Sequence, residues 1–295
     1  MFANPDETGY TMAAARVSRC DRHAQDLLPA RVRVLVLISS LARGGSEGQL
    51  VTLLRQAHGV SMRATVATIA PLADPGHACA LASLGVDHVV LAPGPHRGAR
   101  RGLAAAAALR RLLTTMRPDV VYAWGEPAAV LGAPWVRAQR IPFVVARRQV
   151  GSGESPYGPT LVRLVRRIEA TADVVTANSQ DVLTDALAHG VAAAKLRLAP
   201  NGHKPAAPIP APAAPPVVLG YVAGFRPGKG HMRLVHALGK VEARTSWRVE
   251  LAGDGPLRSL VSRTVSEAGL SERVRFLGVV PAGDGFWGHR HVGVL

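Results

Sequence analysis

The segment Gly220-Tyr221-Val222-Ala223-Gly224-Phe225-Arg226-Pro227-Gly228-Lys229-Gly230-His231 sets two cations into a glycine-rich turn directly after an apolar run. Arg226 offers a two-pronged guanidinium and Lys229 a compact point charge. Beside the unpaired amides of a helix start, that pair suits a diphosphate. The spacing argues against a P-loop that hydrolyses ATP, since three residues rather than four separate Gly224 from Gly228. Gly230 also stands where a magnesium-binding Ser or Thr would be required. A second turn, Gly253-Asp254-Gly255, ends another apolar run and opens a helix, so it serves either turn geometry or contact with the same ligand. A third, Leu41-Ala42-Arg43-Gly44-Gly45-Ser46-Glu47, follows the first apolar run. Gly44 and Gly45 permit positive φ and close approach to an anion, or else form a tight turn with Ser46 as the helix cap. The third glycine of a dinucleotide fingerprint is missing, which weakens a nicotinamide or flavin reading.

Such turns need strands behind them and helices ahead. From Arg31 to Ser39 the chain reads RVRVLVLIS, a β-branched run of the kind buried on both faces of a parallel sheet. Similar runs recur at 64–69, 87–91, 119–124, 141–146 and 173–177, with helix-like stretches at 46–58, 77–84, 97–116, 126–138, 160–170 and 179–189. The alternation predicts an α/β fold with parallel sheets, because parallel neighbours need long crossovers and helices must cover both faces. Residues 31–203 are therefore expected to form an N-terminal Rossmann-like domain, preceded by a poorly ordered extension at 1–30. Residues 204–216 hold six prolines, too many missing amide donors for a strand or helix interior, and read as a stiff linker. Strands at 217–222, 247–251 and 274–277, with helices at 232–241 and 257–268, predict a partial C-terminal domain over 217–278. Residues 279–295 lack usable periodicity and read as an atypical tail. Three parallel strands with two helices would leave a central-type strand as an unpaired edge, so the second domain is expected to be incomplete and the chain truncated.

The chain has 295 residues, 48% hydrophobic, 19% charged and 4% aromatic, which fits two globular domains and excludes both a disordered chain and a small disulfide scaffold. Cys20 and Cys79 support neither a disulfide framework nor a zinc site, and a reducing cytosol is the default location. No apolar run approaches the length of a membrane span, and the N-terminus has no secretory h-region. The net charge of +15 suits an anionic partner, although arginine beside abundant alanine, glycine and proline also follows from a GC-rich coding sequence. Between Leu91 and Val150 ten arginines face only Asp119 and Glu126, so this stretch is a candidate anion-facing region, compatible with peripheral contact at the inner face of a membrane. Nucleic acid is not an expected partner, because aromatic interleaving and recognition motifs are missing.

The segments GYVAGFRPGKGH, WRVELAGDGPLRSLV and ERVRFLG resemble the nucleotide-sugar domain of family 4 glycosyltransferases. In the first half, LARGGSEGQL resembles their acceptor-side glycine loop, RPDVVYAWG their fourth strand, and VVTANSQDVLTDALAHGV with KLRLAPNGHK their interdomain region. The resemblance runs from about Val32 to Gly278 and implies the GT-B type, two Rossmann-like domains with parallel sheets, the second incomplete here. It further implies a retaining transferase that moves a sugar from a nucleotide-diphosphate sugar to a glycan or lipid-linked acceptor in the cleft between the domains. Neither a cofactor nor a metal is expected, since Arg226 and Lys229 match the positions that stabilise the leaving diphosphate, although many members place their arginine nearer the start of this loop, where Gly224 stands. Gly253, Asp254 and Gly255 match a donor-domain loop, and Gly44, Gly45 and Glu47 the acceptor-side loop. Asn178, Ser179, Asn201 and Gly202 fall where relatives shape the cleft, with a helix start and a turn as their plain alternatives. Arg147 and Arg148 resemble a paired-arginine variant that grips a phosphorylated or lipid-diphosphate acceptor, or form a salt-bridged surface pair.

Two departures qualify the resemblance. No histidine lies between Arg97 and Leu187, where many relatives carry one near the reacting sugar; Tyr122, Trp124, Arg147 and Arg148 occupy that neighbourhood, and no catalytic residue is assigned. The family also continues past the point where this chain stops resembling it, through a pair of glutamates with seven residues between them. Glu242 and Glu250 share that separation but not its glycine and proline context, so the match is rejected. The alternative reading is a catalytically inactive remnant acting at most as a binding protein.

Overall fold

The computed structural model describes residues 32–71, 73–94, 98–151, 158–202, 215–241, 246–280 and 286–294. The extension at 1–30 and residues 204–214 of the proline-rich segment lie outside that set. The chain divides into two compact units, Met1–His203 and Lys204–Leu295.

The first unit holds a parallel sheet of β1 (Val32–Ile38), β2 (Met62–Thr68), β3 (Asp87–Val90), β4 (Val120–Trp124), β5 (Phe143–Arg147), β6 (Val174–Ala177) and β7 (Leu196–Leu198). Their order is β3-β2-β1-β4-β5-β6-β7. Helices α1 (Gly45–Ala57), α2 (Pro75–Ser83), α3 (Gly98–Met116), α4 (Glu126–Ala138), α5 (Gly158–Thr171) and α6 (Gln180–Ala188) connect them. β1 shows why a continuous apolar run becomes a central strand. Val34, Val36 and Ile38 pack with Leu50 and Leu54 of α1 and Leu81 of α2, while the alternate Leu35 and Leu37 pack with Leu109 and Leu113 of α3 and Ala129 and Ala133 of α4. Both faces are thus withdrawn from water, the driving force being roughly 25 cal/mol per Å² of apolar surface. β7 was not among the expected strands; its three residues, LRL, are too few to show a period, and pairing with β6 alone identifies them.

Strand order reverses between β1 and β4, and ligands of doubly wound sheets bind beyond the carboxyl ends of the strands at such a reversal. The loops after β1, β4 and β5 converge there.

The second unit holds β8 (Val217–Val222), β9 (Trp247–Ala252), β10 (Val274–Gly278) and β11 (Val292–Val294) in the parallel order β10-β9-β8-β11, with α7 (His231–Leu238) and α8 (Arg258–Glu267). Tyr221, Phe225, Val249 and Leu251 pack with Val235 and Leu238 of α7 and Val261 and Val265 of α8. The expectation of an unpaired central-type strand is corrected at β8, which is covered by β11 from the segment read as an unpatterned tail. Val292, Gly293 and Val294 register with Leu219, Gly220 and Tyr221, and the Val218 amide donates to His291 Nδ1 at 3.0 Å. Arg290 reaches the buried Glu250 of β9. Gly220 leaves room for this tail, for a Cβ there would lie 2.6 Å from Arg290 Cδ and 2.9 Å from Phe286 Cε1. A strand of three residues held by one ion pair and an aromatic cover carries no alternation that periodicity could detect.

Candidate functional site

At the carboxyl edge of the first sheet, Gly44 caps α1 in extended backbone with φ −166°, and no side chain caps that helix. Neither Gly44 nor Gly45 uses left-handed backbone, so the expected positive φ is not the reason for glycine. Space is the reason at Gly44, where a Cβ would lie 2.3 Å from the Glu47 carboxylate. Gly45 faces open space, leaving the first-turn amides approachable. Ser46 is not the cap; its carbonyl and hydroxyl instead receive the Trp124 indole N–H at 3.0 and 2.9 Å. The Arg148 guanidinium lies over that indole at 4.5 Å and donates to Asn201 Oδ1 at 2.5 Å. Burial lowers the Arg148 pKa, against the opposing pull of Tyr122 and Glu47. Burial also raises the Tyr122 phenol, whose oxygen lies 2.9 Å from Thr176 Oγ1. Gly202 packs by α1, a Cβ there lying 3.7 Å from Thr52 Cγ2. The fold therefore brings Gly44, Glu47, Arg148, Asn201 and Gly202 together around Trp124.

Arg147 does not join them. It is 8% exposed and its two prongs go to Glu169 Oε2, at 2.5 Å, and to Asp185. An acceptor contact by Arg147 is corrected on this geometry, because a guanidinium spent on two carboxylates has no net charge to offer. Alternation explains the outcome: Arg147 ends β5 pointing inward and Arg148 begins the loop. Burial raises Glu169, with Arg147 opposing. Asp185 is likewise pushed up by burial, but the Gly151 amide, Arg147 and His189 bring it below its ordinary value. Ser179 is the cap of α6, accepting from the Val182 amide at 3.3 Å, while Asn178 keeps a buried Oδ1 without a hydrogen-bond partner.

In the second unit the turns after β8 and β9 are sewn together. Phe225 N donates to Asp254 O at 2.9 Å, and Leu257 N donates to Phe225 O at 3.0 Å. Gly253 and Gly255, with φ of 137° and 152°, make this approach feasible, for Cβ atoms would lie 2.0 Å from Ala223 O and 2.6 Å from Phe225 O. Their glycine identity is thus accounted for by turn geometry. Arg226 folds back over Gly224, with Nε 3.2 Å from an ideal Cβ at that glycine. Arg226 and Lys229 are exposed, and among the described residues neither is paired with a carboxylate. Gly228 and Gly230 supply left-handed backbone on either side of Lys229. Asp254 is also exposed, 3.7 Å from Arg258.

Sequence reasoning gave His231 no role. It opens α7, is 2% exposed, stacks on Phe225 at 4.2 Å and meets Tyr221 edge-on at 4.9 Å. Neither ring nitrogen has a hydrogen-bond partner of good geometry. Burial lowers its pKa, the Ala223 carbonyl opposing and Lys229 adding to the effect. The Tyr221 hydroxyl donates to the Lys229 carbonyl, so His231 and Tyr221 brace the loop that carries the free cations.

The sequence model of glycosyltransferase family 4 matches residues 43–206, over half of the chain. The chain belongs to glycosyltransferase family 4. No curated protein matches it. Among solved structures, Anabaena HepE in complex with UDP and glucose is 23% identical, with a TM-score of 0.68 over 85% of this chain and 70% of its own. The lipopolysaccharide outer core galactosyltransferase WaaB is 15% identical, with a TM-score of 0.64 over 85% and 69%. Sucrose-phosphate synthase from Thermosynechococcus elongatus is 17% identical, with a TM-score of 0.63 over 85% and 71%. These likenesses identify the fold of this family 4 chain as the GT-B type. Among the described residues, no helix is long and apolar enough to cross a membrane.

Proposed function

We propose that this family 4 chain transfers a glycosyl group, with retention, from a nucleoside diphosphate sugar to an acceptor hydroxyl on a glycan or lipid-linked saccharide. Membership of the family carries the reading, and the solution of HepE with UDP and with UDP-glucose supports a UDP sugar as donor. In the reaction the bond from the anomeric carbon to the β-phosphate oxygen breaks, its electron pair leaving with the diphosphate. The acceptor oxygen bonds the anomeric carbon on the same face, and its proton passes to the departing phosphate. Charge therefore accumulates on the diphosphate, and Arg226 and Lys229 would stabilise it without a metal ion, with Gly224 leaving room for the Arg226 side chain. Asp254 stands at the adjoining turn. On the acceptor side Arg148, Glu47 and Asn201 supply charged and hydrogen-bonding groups, with the buried Trp124 ring beneath Arg148. Peripheral membrane contact is supported by α5, where Arg163 and Arg167 flank an exposed Leu164.

A panel of nucleotide sugars incubated with the purified protein and acceptor lipids tests this by release of nucleoside diphosphate. Turnover with one donor is expected, and Lys229→Ala should lower kcat/KM by about 100-fold, the scale of losing one stabilising cation. Wild-type protein that neither binds UDP nor turns over any donor would overturn the reading.

A further inference from the structure

The loops after β1 and β2 are zipped together: the Ala70 amide donates to Ser39 O at 2.9 Å, Leu41 bridges Ala73, and Arg43 pairs with Asp74 at 3.1 Å. Beside this shelf lies a cleft of about 500 Å³, lined by Ser39, Ser40, Ala70, Pro71 and Arg101. That volume lies within the range of small-molecule sites. Arg101 comes from the first turns of α3, and its Nε is buried without a hydrogen-bond partner. Among the described residues no carboxylate pairs with Arg101, and the nearby Asp74 is already committed to Arg43 and to the amides of Gly76 and His77. Ser40 Oγ only accepts, from the Ala42 amide at 3.5 Å, so its own proton is free to donate.

Arg101 as a whole is only partly buried, and with no carboxylate among the described residues to neutralise it, an anion in the cleft would meet an uncompensated guanidinium. The donors gathered here, a guanidinium fork and two hydroxyls, can be shared among the three terminal oxygens of a phosphate monoester, which brings more negative charge to Arg101 than a carboxylate does. Ala70 and Pro71 add an apolar wall for the carbon skeleton attached to it. The cleft sits at the carboxyl ends of β1 and β2, next to the strand reversal and some three strands from Arg148, or about 14 Å at the usual strand spacing.

We propose that this cleft is an acceptor subsite that takes a phosphate monoester, bound by the Arg101 guanidinium and the hydroxyls of Ser39 and Ser40. Assigning the phosphate to the acceptor rests on the transferase reading; binding of the phosphate itself does not. The group comes either from a free sugar or polyol phosphate or from a lipid headgroup, and the two sources are separable by experiment.

The full chain is titrated calorimetrically with glycerol 3-phosphate, and floated with vesicles of phosphatidylcholine with and without phosphatidic acid, at an ionic strength of about 0.15 M to screen the general positive charge. UDP is titrated in parallel. Binding of either phosphate probe is expected, weakened about 10- to 100-fold by Arg101→Gln, the range for losing a charged hydrogen-bonding partner. Arg110→Gln, which removes an exposed charge elsewhere on α3, should leave it unchanged, and UDP affinity should be the same in all three proteins. Binding of glycerol 3-phosphate identifies a free phosphate as the source; binding of the acidic vesicles alone identifies a lipid. The proposal is overturned if neither probe binds, or if Arg101→Gln and Arg110→Gln weaken binding equally. Failure of UDP to bind while glycerol 3-phosphate binds would count against the transferase reading and leave the subsite standing.

Discussion

Three arginines and a lysine, two in each unit, differ by what surrounds them. Arg147 is neutralised inside by two carboxylates, Arg148 is held half-buried over an indole, and Arg226 and Lys229 stand exposed on a glycine loop. The identity of each cation was legible in the sequence, but its partners were not, because Glu169 and Asp185 are 22 and 38 residues from Arg147 and only the folded sheet brings them near. His231 was illegible for the same reason, since nothing local marks a histidine that will be stacked on one ring and met edge-on by another. Its burial has a consequence for pH. The folded pKa is lowered from 6.5, so the unfolded chain binds the proton more readily. Stability is then fully present above about pH 6.5 and is lost as pH falls through the folded pKa. His88, lowered by burial in the first unit, acts in the same direction. Replacing His231 by Phe keeps the ring stack and removes the titration. Thermal melts at about pH 7.5 and 5.5 should show a smaller drop in the second unit's melting temperature for His231→Phe than for wild type. An equal drop in both proteins would show that His231 does not titrate across the transition.

At the level of elements, the long apolar runs gave up their identity readily, whereas β7 and β11, each of three residues, did not. β11 shows what replaces periodicity in such a strand. Its place beside β8 is secured by neighbours in space: His291 on the Val218 amide, Phe286 and Trp287 over Gly220, and Arg290 on Glu250. Arg290 lies 3.6 Å above the Phe286 ring, and its side chain and that of Glu250 are 9% and 10% exposed. Among the described residues the other cation paired with Glu250 is Arg248, whose Nε is 3.7 Å away and whose side chain is 38% exposed. Removing Arg290 thus strands a carboxylate inside β9, a change that costs about 3–5 kcal/mol in buried pairs. Arg290→Leu should lower the unfolding free energy of the second unit by about 3 kcal/mol in urea titration, and adding Glu250→Leu should recover most of it. Additive losses in the double variant would mean that the tail is not held through this pair.

For the molecule as a whole, the division into two units with separate cores assigns separate ligands to separate transitions. The core of the first unit is built on seven strands and that of the second on four, so each can unfold with its own cooperativity. The net charge of +15 gives no such resolution, because a general positive field attracts phosphate to every face alike. Stabilisation by a bound ligand does discriminate, since only the unit that holds the ligand gains RT ln(1 + [L]/Kd). At a hundredfold excess over Kd that is about 2.7 kcal/mol, which moves the midpoint by roughly 10–20 °C for the smaller unit and roughly 5–10 °C for the larger. In scanning calorimetry UDP should raise one transition, and Lys229→Ala should abolish that rise while leaving the other transition unmoved. Glycerol 3-phosphate should raise the other transition, in a manner sensitive to Arg101→Gln and indifferent to Lys229→Ala. If UDP instead stabilised the transition that responds to Arg101, the diphosphate would belong to the seven-stranded unit, and the assignment of Arg226 and Lys229 to the donor would have to be abandoned.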